Sequence, residues 1–280
     1  MKKIVVLFLL SLFTLHATEN VFNDKTLDEK IKIKKHLSLK KVKMYFSDFI
    51  DITGESKENF NKMINEAYNK DIHFLRAIDK FSKFDKAIKF KYYDPTIGEN
   101  KNVKSYIPDY EYIFNELHES VSKYHNILSA YKGSEFIGKT ILMLDSTGKI
   151  SSPQVHTLIN KHYPIFIKTL SDRGYCYGYS MGVNFYADTS EYARDKSKFN
   201  YFLKKGYPIC KTQFENKKIP KFLYISLARQ FSIENAKKMR RVQIEKRIKE
   251  REKSEKEIFI ENGKKMKKAL KEKALNKGKK

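Results

Sequence analysis

Large apolar side chains recur at helical spacing through the first half of this chain, and that pattern restricts the fold more than any other feature. One stripe consists of Phe60, Met63, Ile64, Ala67, Ile72, Leu75, Ile78 and Phe81, and another of Ile113, Phe114, Leu117, Val121, Tyr124, Leu128 and Tyr131. Residues three and four apart share one face of an α-helix, so both stripes predict helices with a buried side. We therefore expect a helical region over residues 37–135, in which Gly54 and Gly133 end helices and Pro108 opens one.

The second half of the chain has a different pattern. Residues 139–144 form a short apolar run, residues 175–187 alternate large and small side chains, and residues 222–227 are again apolar. Alternation with a period of two is typical of β-strands. The segments between these runs predict helices, so residues 136–230 are interpreted as a mixed α/β domain.

Glycine and proline mark the ends of the helices predicted within this domain. The first is kinked at Pro164 and ends at Gly174. The second runs from Thr189 to Lys205, where Gly206 and Pro208 are stop signals. The predicted fold class is α+β and predominantly helical, with an N-terminal helical region, a small mixed α/β domain and a long basic C-terminal helix or arm.

Charge and composition limit the classes of protein to which the chain can belong. Its 280 residues include 57 Lys and Arg against 33 Asp and Glu, which gives a formal net charge of +24. Hydrophobic residues make up 41%, enough for a buried core, so a fully disordered or collagen-like chain is excluded. The two cysteines exclude a disulfide-dense small scaffold and a four-cysteine zinc site.

The N-terminus has the features of an export signal. Met1-Lys2-Lys3 is followed by an apolar run from Ile4 to Leu15, which is too short for a stable membrane-spanning helix. We predict a signal peptide over residues 1–17, cut near Ala17, with an uncleaved N-terminal anchor as the alternative. Residues 18–36 are polar and charged and are interpreted as a linker. The expected location is the periplasm or the outside of the cell.

The tail, residues 231–280, is rich in lysine and arginine. From residue 233 onward it holds 19 basic and 8 acidic side chains, a net charge of +11. Glu–Lys pairs at helical spacing can support an exposed helix, and a solvated, disordered arm is the other interpretation. This charge favours an acidic protein or an anionic envelope or membrane surface as the partner of residues 233–280. Export makes nucleic acid a poor candidate.

The most specific local motif is Gly174-x-Cys176-x-Gly178-x-Ser180. A cysteine at a helix N-terminus forms its thiolate more readily, because the unpaired amides and the helix dipole there favour negative charge. The same amides can act as oxyanion donors in acyl transfer, and neighbouring glycines let a substrate backbone approach the sulfur. Cys176 is therefore a candidate nucleophile.

This motif, which covers about a dozen residues, resembles the nucleophile motif of papain-like cysteine proteases, especially the YopT-like effector proteases. The resemblance implies acyl transfer on a protein substrate, with Cys176 as the nucleophile. In that family the histidine base follows the cysteine, whereas all seven histidines of this chain precede Cys176. His162 is then the candidate base, and an inactive relative of the family is the other interpretation.

The same residues allow a structural interpretation, which we prefer. In a strand over residues 175–187, Cys176 lies on a face of small side chains and can form a disulfide with Cys210, the other cysteine of the chain. The βαβαβ order over residues 139–227 also resembles thioredoxin-like folds, with Ile219-Pro220 before the last strand. The redox C-x-x-C pair is missing, so this resemblance implies a non-redox periplasmic assembly domain.

Two further groups are better explained by structure than by chemistry. Residues Asp145–Lys149 lie where a strand-to-helix turn is expected and lack the rest of a phosphate loop or metal site. The pairs His118/His125 and His156/His162 are more than one helical turn apart, so no zinc site is predicted. Neither a cofactor nor a metal is expected. The predicted function is that of an exported, basic, non-enzymatic protein, with a papain-like protease as the alternative.

Overall fold

The computed structural model describes residues 25–93, 103–138, 153–187 and 193–277, and within these ranges it contains helices and no β-strand. The helices are α1 (25–36), α2 (Leu39–Met44), α3 (Phe49–Thr53), α4 (Lys57–Lys70), α5 (Ile72–Tyr93), α6 (Val103–Tyr124), α7 (Ile127–Phe136), α8 (Pro153–Asp172), α9 (Cys176–Phe185), α10 (Lys196–Glu215) and α11 (Lys221–Lys277). The chain divides into two compact units, residues Met1–Leu227 and Ala228–Lys280. The α+β fold class predicted from the sequence is therefore wrong for the described residues.

The two strands predicted within the described ranges are both helical. Residues 175–187 contain α9, and residues 222–227 lie inside α11. The βαβαβ order, and with it the thioredoxin-like resemblance, is wrong because these two segments supply two of its three strands. The predicted strand at 139–144, the turn at Asp145–Lys149 and the signal peptide at 1–17 lie outside the described residues.

The sequence pattern does not identify α9 as a helix, because this helix is buried on nearly every side. Its buried residues are Cys176, Gly178, Tyr179, Ser180, Gly182, Val183 and Phe185. A helix surrounded by protein has no polar face, so its sequence lacks the period that identifies an amphipathic helix. Its small residues fall at every second position and also one helical turn apart, and the first of these patterns imitates a strand.

Glycines in α9 let neighbouring helices approach very closely. A Cβ atom added to Gly178 would lie 2.5 Å from the backbone nitrogen of Ser171 in α8. A Cβ at Gly182 would lie 2.5 Å from the ring of Phe202 in α10. Both distances are shorter than van der Waals contact, so only glycine fits at these positions. α9 is consequently packed tightly between α8 and α10, against which most of its contacts are made.

Three of the predicted helix breaks lie inside helices. Gly133 is within α7, and its missing side chain makes room for the ring of Phe166, with which a Cβ at this position would overlap. Gly206 and Pro208 are within α10, which continues to Glu215. Pro108 does not open a helix, because α6 begins earlier, at Val103. At Gly133 and Gly206, close packing of neighbouring side chains outweighs the local propensity of glycine to end a helix.

Other predicted ends are confirmed. Gly54 is the C-cap of α3 with φ 72°, in the left-handed region that favours glycine. α8 ends before Gly174, which has φ 85°, and Pro164 lies within that helix. The stripe at residues 60–81 is divided between α4 and α5, which meet at Asp71.

The core of the first unit is built from aromatic rings at the meeting of α5, α6, α7 and α8. Phe114 of α6 contacts the rings of Phe136 in α7 and Phe166 in α8. Phe136 also meets Phe81 of α5 edge to face, with ring centroids 5.4 Å apart. Such pairs add about 0.5–1.5 kcal/mol each beyond the area that they bury.

In the second unit, the described residues form the continuous C-terminal part of α11. Most of its described large apolar side chains are exposed, including Met239 at 65% and Phe259 at 81%. None of the described helices combines the length and the apolar content that a segment crossing a bilayer requires.

We predict that Gly178→Ala lowers the free energy of unfolding by about 1–3 kcal/mol, because the added methyl group meets the α8 backbone, which cannot move aside. Chemical denaturation of the oxidised protein measures the change. Gly138→Ala is the matched control, since a Cβ there has no neighbour within 4 Å. The close approach of α9 and α8 is contradicted if both variants are as stable as the original protein.

Candidate functional site

Cys176 follows the end of one helix and begins the next. The backbone N–H of Tyr175 donates to the carbonyl of Leu170, and that of Gly174 donates to Ser171. These two bonds form a Schellman motif, which ends α8 and lets the chain turn. α9 then begins at Cys176, so the sequence motif does place this cysteine at a helix N-terminus.

The sulfur of Cys176 is bonded to that of Cys210 in α10. Both residues are completely buried. A cystine sulfur carries no thiolate, so Cys176 cannot act as a nucleophile while the bridge is intact. The disulfide predicted as the structural alternative is present, and it links the start of α9 to the second half of α10.

A side chain from α10 occupies the amide that an oxyanion would need. Gln213 accepts a hydrogen bond from the backbone N–H of Cys176 at 3.2 Å. The side-chain amide of Gln213 also donates to the carbonyl of Gly174 at 2.9 Å. This amide at the start of α9 is therefore satisfied within the protein.

Tyr175 fixes the other side of the same turn. Its hydroxyl donates to the carboxylate of Glu55 at 2.6 Å, and its ring meets Phe49 edge to face. Burial, together with the Glu55 carboxylate, raises the pKa of Tyr175 well above its ordinary value. The hydroxyl consequently stays protonated and remains a hydrogen-bond donor.

His162, the candidate base, is paired with a second histidine. Its Nδ1 lies 3.1 Å from Nδ1 of His118 in α6, and its ring stacks on Phe114. Only 1% of His162 is exposed, and its Nε2 has no hydrogen-bond partner among the described residues. The Nδ1–H tautomer of His162 leaves Nε2 as a bare acceptor instead of an unpaired buried N–H.

Burial keeps both imidazoles neutral. It lowers the pKa of His162 from 6.5 to about 4, with help from His118 and the nearby Lys161. Burial likewise lowers the pKa of His118. The hydrogen bonding of His162 is to α6, and that of Cys176 is to α10, so the structure shows no catalytic pair between them.

A buried carboxylate that the sequence pattern did not identify as functional, Asp71, connects four helices. It caps α5 by accepting from the backbone N–H of Phe74 at 2.9 Å. Its other oxygen accepts from Ser120 of α6 and from Asn126, the residue that caps α7. Ser120 in turn shares a hydrogen bond with Ser129 of α7. An aspartate immediately before an apolar stripe is a helix-start signal, and this is the one indication that the sequence offers.

A cleft of about 190 Å³ opens beside Asp71. Its walls include Met63, Lys70, Tyr124 and His125. His125 has φ 50°, a conformation that a residue with a side chain adopts at a cost. The Asp71 oxygens are already engaged, so the cleft shows no unpaired polar group of Asp71 for a ligand.

The α11 helix carries the largest concentration of charge. Residues 229–241 include five basic side chains and one acidic side chain. Residues 242–257 include six basic and five acidic side chains, and residues 264–280 include nine lysines and one glutamate. The basic excess is therefore concentrated at the two ends of the second unit. In the balanced middle, ion pairs at i,i+4 join Lys246 to Glu250 and Arg251 to Glu255. Exposed pairs of this kind support a helix without a core by a few tenths of a kcal/mol each, or about 0.3–0.5 kcal/mol.

Within the described ranges, no group of three or more His, Cys, Asp or Glu side chains is arranged to hold a metal ion. Comparison of the chain with protein-family models, curated proteins and solved structures gave no match in any of the three.

We predict that replacing both cysteines, Cys176→Ala with Cys210→Ala, lowers the free energy of unfolding by about 2–4 kcal/mol, because the bridge closes a loop of 34 residues in the unfolded chain. Denaturation with and without a reducing agent measures this. The reductant should shift the unfolding midpoint of the original protein and leave that of the variant unchanged. If the original protein has the same unfolding midpoint with and without the reducing agent, the bridge is absent or does not stabilise the protein.

We predict that acid destabilises the protein partly through His162. Its pKa is about 4 in the folded state and near 6.5 when unfolded, so the unfolded chain binds a proton first as the pH falls. Stability from neutral His162 is complete above pH 6.5 and is lost toward pH 4. His162→Phe should therefore reduce the loss of unfolding free energy between these values, by about 2–3 kcal/mol. If the free energy of unfolding of the two proteins changes with pH in the same way, His162 is not a source of the acid sensitivity.

Proposed function

We propose that this chain is an exported, non-enzymatic protein of the cell envelope or extracellular space, which binds an acidic protein or an anionic surface through residues 233–280. The observation that carries the proposal is the charge of the tail on a continuous helix. Residues 233–280 have a net charge of +11, and the described part of this segment, to Lys277, is entirely helical. A helix presents this charge as a fixed array, so less conformational entropy is lost on binding than with a disordered arm.

The exposure of the helix supports this role. Beyond Ala228, even large apolar side chains such as Val242 and Ile248 are more than half exposed, at 57% and 52%. An exposed helix of one predominant charge attracts partners of the opposite charge from a distance and holds them by many weak contacts.

The disulfide supports export. Cystines persist in oxidising compartments and are rare where glutathione and thioredoxin keep thiols reduced. The bridge between Cys176 and Cys210 is therefore consistent with the export signal predicted at residues 1–17. The same bridge withdraws Cys176 from nucleophilic chemistry, which favours a binding role over the papain-like alternative.

We predict that replacing Lys264, Lys265, Lys267 and Lys268 by Gln weakens binding to vesicles containing phosphatidylglycerol, and to immobilised polyglutamate, at least tenfold. Each basic residue near an anionic surface contributes about 1 kcal/mol, and part of this remains after partial screening. Co-sedimentation measures binding of the protein to the vesicles, and surface plasmon resonance measures its binding to the polyglutamate.

The matched control removes the same charge from the first unit. Lys32, Lys35, Lys40 and Lys57 are exposed, and their replacement by Gln should change binding by no more than about twofold. If the control variant weakens binding as much as the tail variant, binding follows the net charge of the molecule and the tail is not its site. Failure of the original protein to bind either probe would overturn the proposal directly.

A further inference from the structure

The far end of α11 carries an apolar stripe in addition to its lysines. Phe259, Met266 and Leu270 follow one another at intervals of seven and four residues within this helix. Such intervals place successive residues on one face of an α-helix. Gly263 and Ala274 continue the same stripe, so the face is formed by apolar or small residues over about four turns.

The opposite face is strongly basic. Residues 258–277 contain seven lysines and two glutamates, and at 100° per residue four of the lysines (264, 265, 268 and 271) lie roughly 100° or more from the centre of the stripe. A helix with lysines on one side and Phe, Met and Leu on the other is typical of segments that lie in the interface of a membrane.

The described apolar side chains of this face are open to solvent. Phe259 is 81% exposed and Met266 is 69% exposed. Exposed aromatic and methionine side chains on a charged helix are costly in water, and their burial releases free energy. A partner surface with an apolar interior and anionic groups on its outside would bury the apolar face of the segment and contact its basic face at the same time.

We propose that residues 258–277 of α11 form an interfacial membrane anchor, which inserts Phe259, Met266 and Leu270 among the acyl chains of an anionic lipid surface. This inference rests on the proposed function, and it identifies lipid as the acidic surface and the end of α11 as the segment that enters it. The helix lies along the membrane surface, and its lysines contact the phosphate groups.

A second copy of this chain fits the face less well. Two such segments placed side by side would bring seven lysines of each close together, with only two glutamates on each to offset them. Like charges at an interface oppose association, whereas anionic headgroups neutralise the lysines. A purely acidic protein, in turn, would leave the exposed Phe259 and Met266 without an apolar contact.

The experiment uses the full chain with vesicles of phosphatidylcholine alone or mixed with phosphatidylglycerol. The triple variant Phe259→Ser, Met266→Ser and Leu270→Ser removes the stripe and keeps every charge. Its affinity for the mixed vesicles should fall at least tenfold, which corresponds to about 1.4 kcal/mol. This loss is smaller than the free energy gained when one large apolar side chain is buried. The matched control, Met239→Ser, Val242→Ser and Ile248→Ser, removes three exposed apolar side chains from an earlier part of the same helix and should change affinity by less than about twofold.

Fluorescence locates the inserted segment independently. The chain has no tryptophan, so Phe259→Trp and Ile248→Trp each introduce a single fluorophore. On addition of the mixed vesicles, emission from position 259 should shift to the blue and be quenched by brominated lipids. Emission from position 248 should remain that of a solvated indole.

The outcomes separate this inference from the proposed function. If both triple variants bind the mixed vesicles as tightly as the original protein, the tail binds by charge alone and the anchor is wrong, while the proposed function stands. If the original protein binds neither vesicles nor polyglutamate, the proposed function fails as well. If sedimentation shows that the original protein self-associates and the stripe variant does not, a second copy covers the face and the anchor is overturned.

Discussion

The first unit depends on how closely α9 lies to its neighbours. Without side chains at Gly178 and Gly182, the backbone of α8 and the ring of Phe202 in α10 can lie directly against this helix. The disulfide of Cys176 and the two hydrogen bonds of Gln213 then hold the start of α9 to α10. The residues that imitate a nucleophile motif are thus the ones that a buried, tightly packed helix requires.

Two buried charged groups, Lys132 and Asp71, connect several of the other helices, and both are engaged by neighbouring groups. The ammonium group of Lys132 in α7 donates to the carbonyl of Tyr45 and to Glu135, and it lies over the rings of Phe46 and Phe81. Asp71 plays the equivalent role for α5, α6 and α7. Removing one partner from such a group would leave a charge or a donor buried without compensation, which costs more than the pair itself contributes.

Sequence patterns identify the amphipathic helices, because α4 and α6 each have one buried face. They also predict the ends at Gly54 and Gly174, where a positive φ is needed, and the pairing of the two cysteines. They fail for α9, which has no polar face, and at Gly133 and Gly206, where side chains far away in the sequence leave room only for glycine. The partners of Asp71, Lys132 and His162 come from helices far apart in the chain, so no local pattern contains them. The charge of the tail is evident from sequence, which leaves an exposed helix and a disordered arm as alternatives, and the structure shows a continuous helix as far as Lys277.

The length of the second unit sets how its charges act. At about 1.5 Å per residue, the basic clusters at 237–241 and 264–268 are separated by roughly 35 Å along α11. The Debye length in physiological salt is about 8 Å, so salt screens the electrostatic interaction between the two clusters almost completely. Under the proposed function, α11 therefore carries two separate cationic contacts on one helix, an arrangement that favours a surface with anionic groups at that spacing over a small solute of the same total charge.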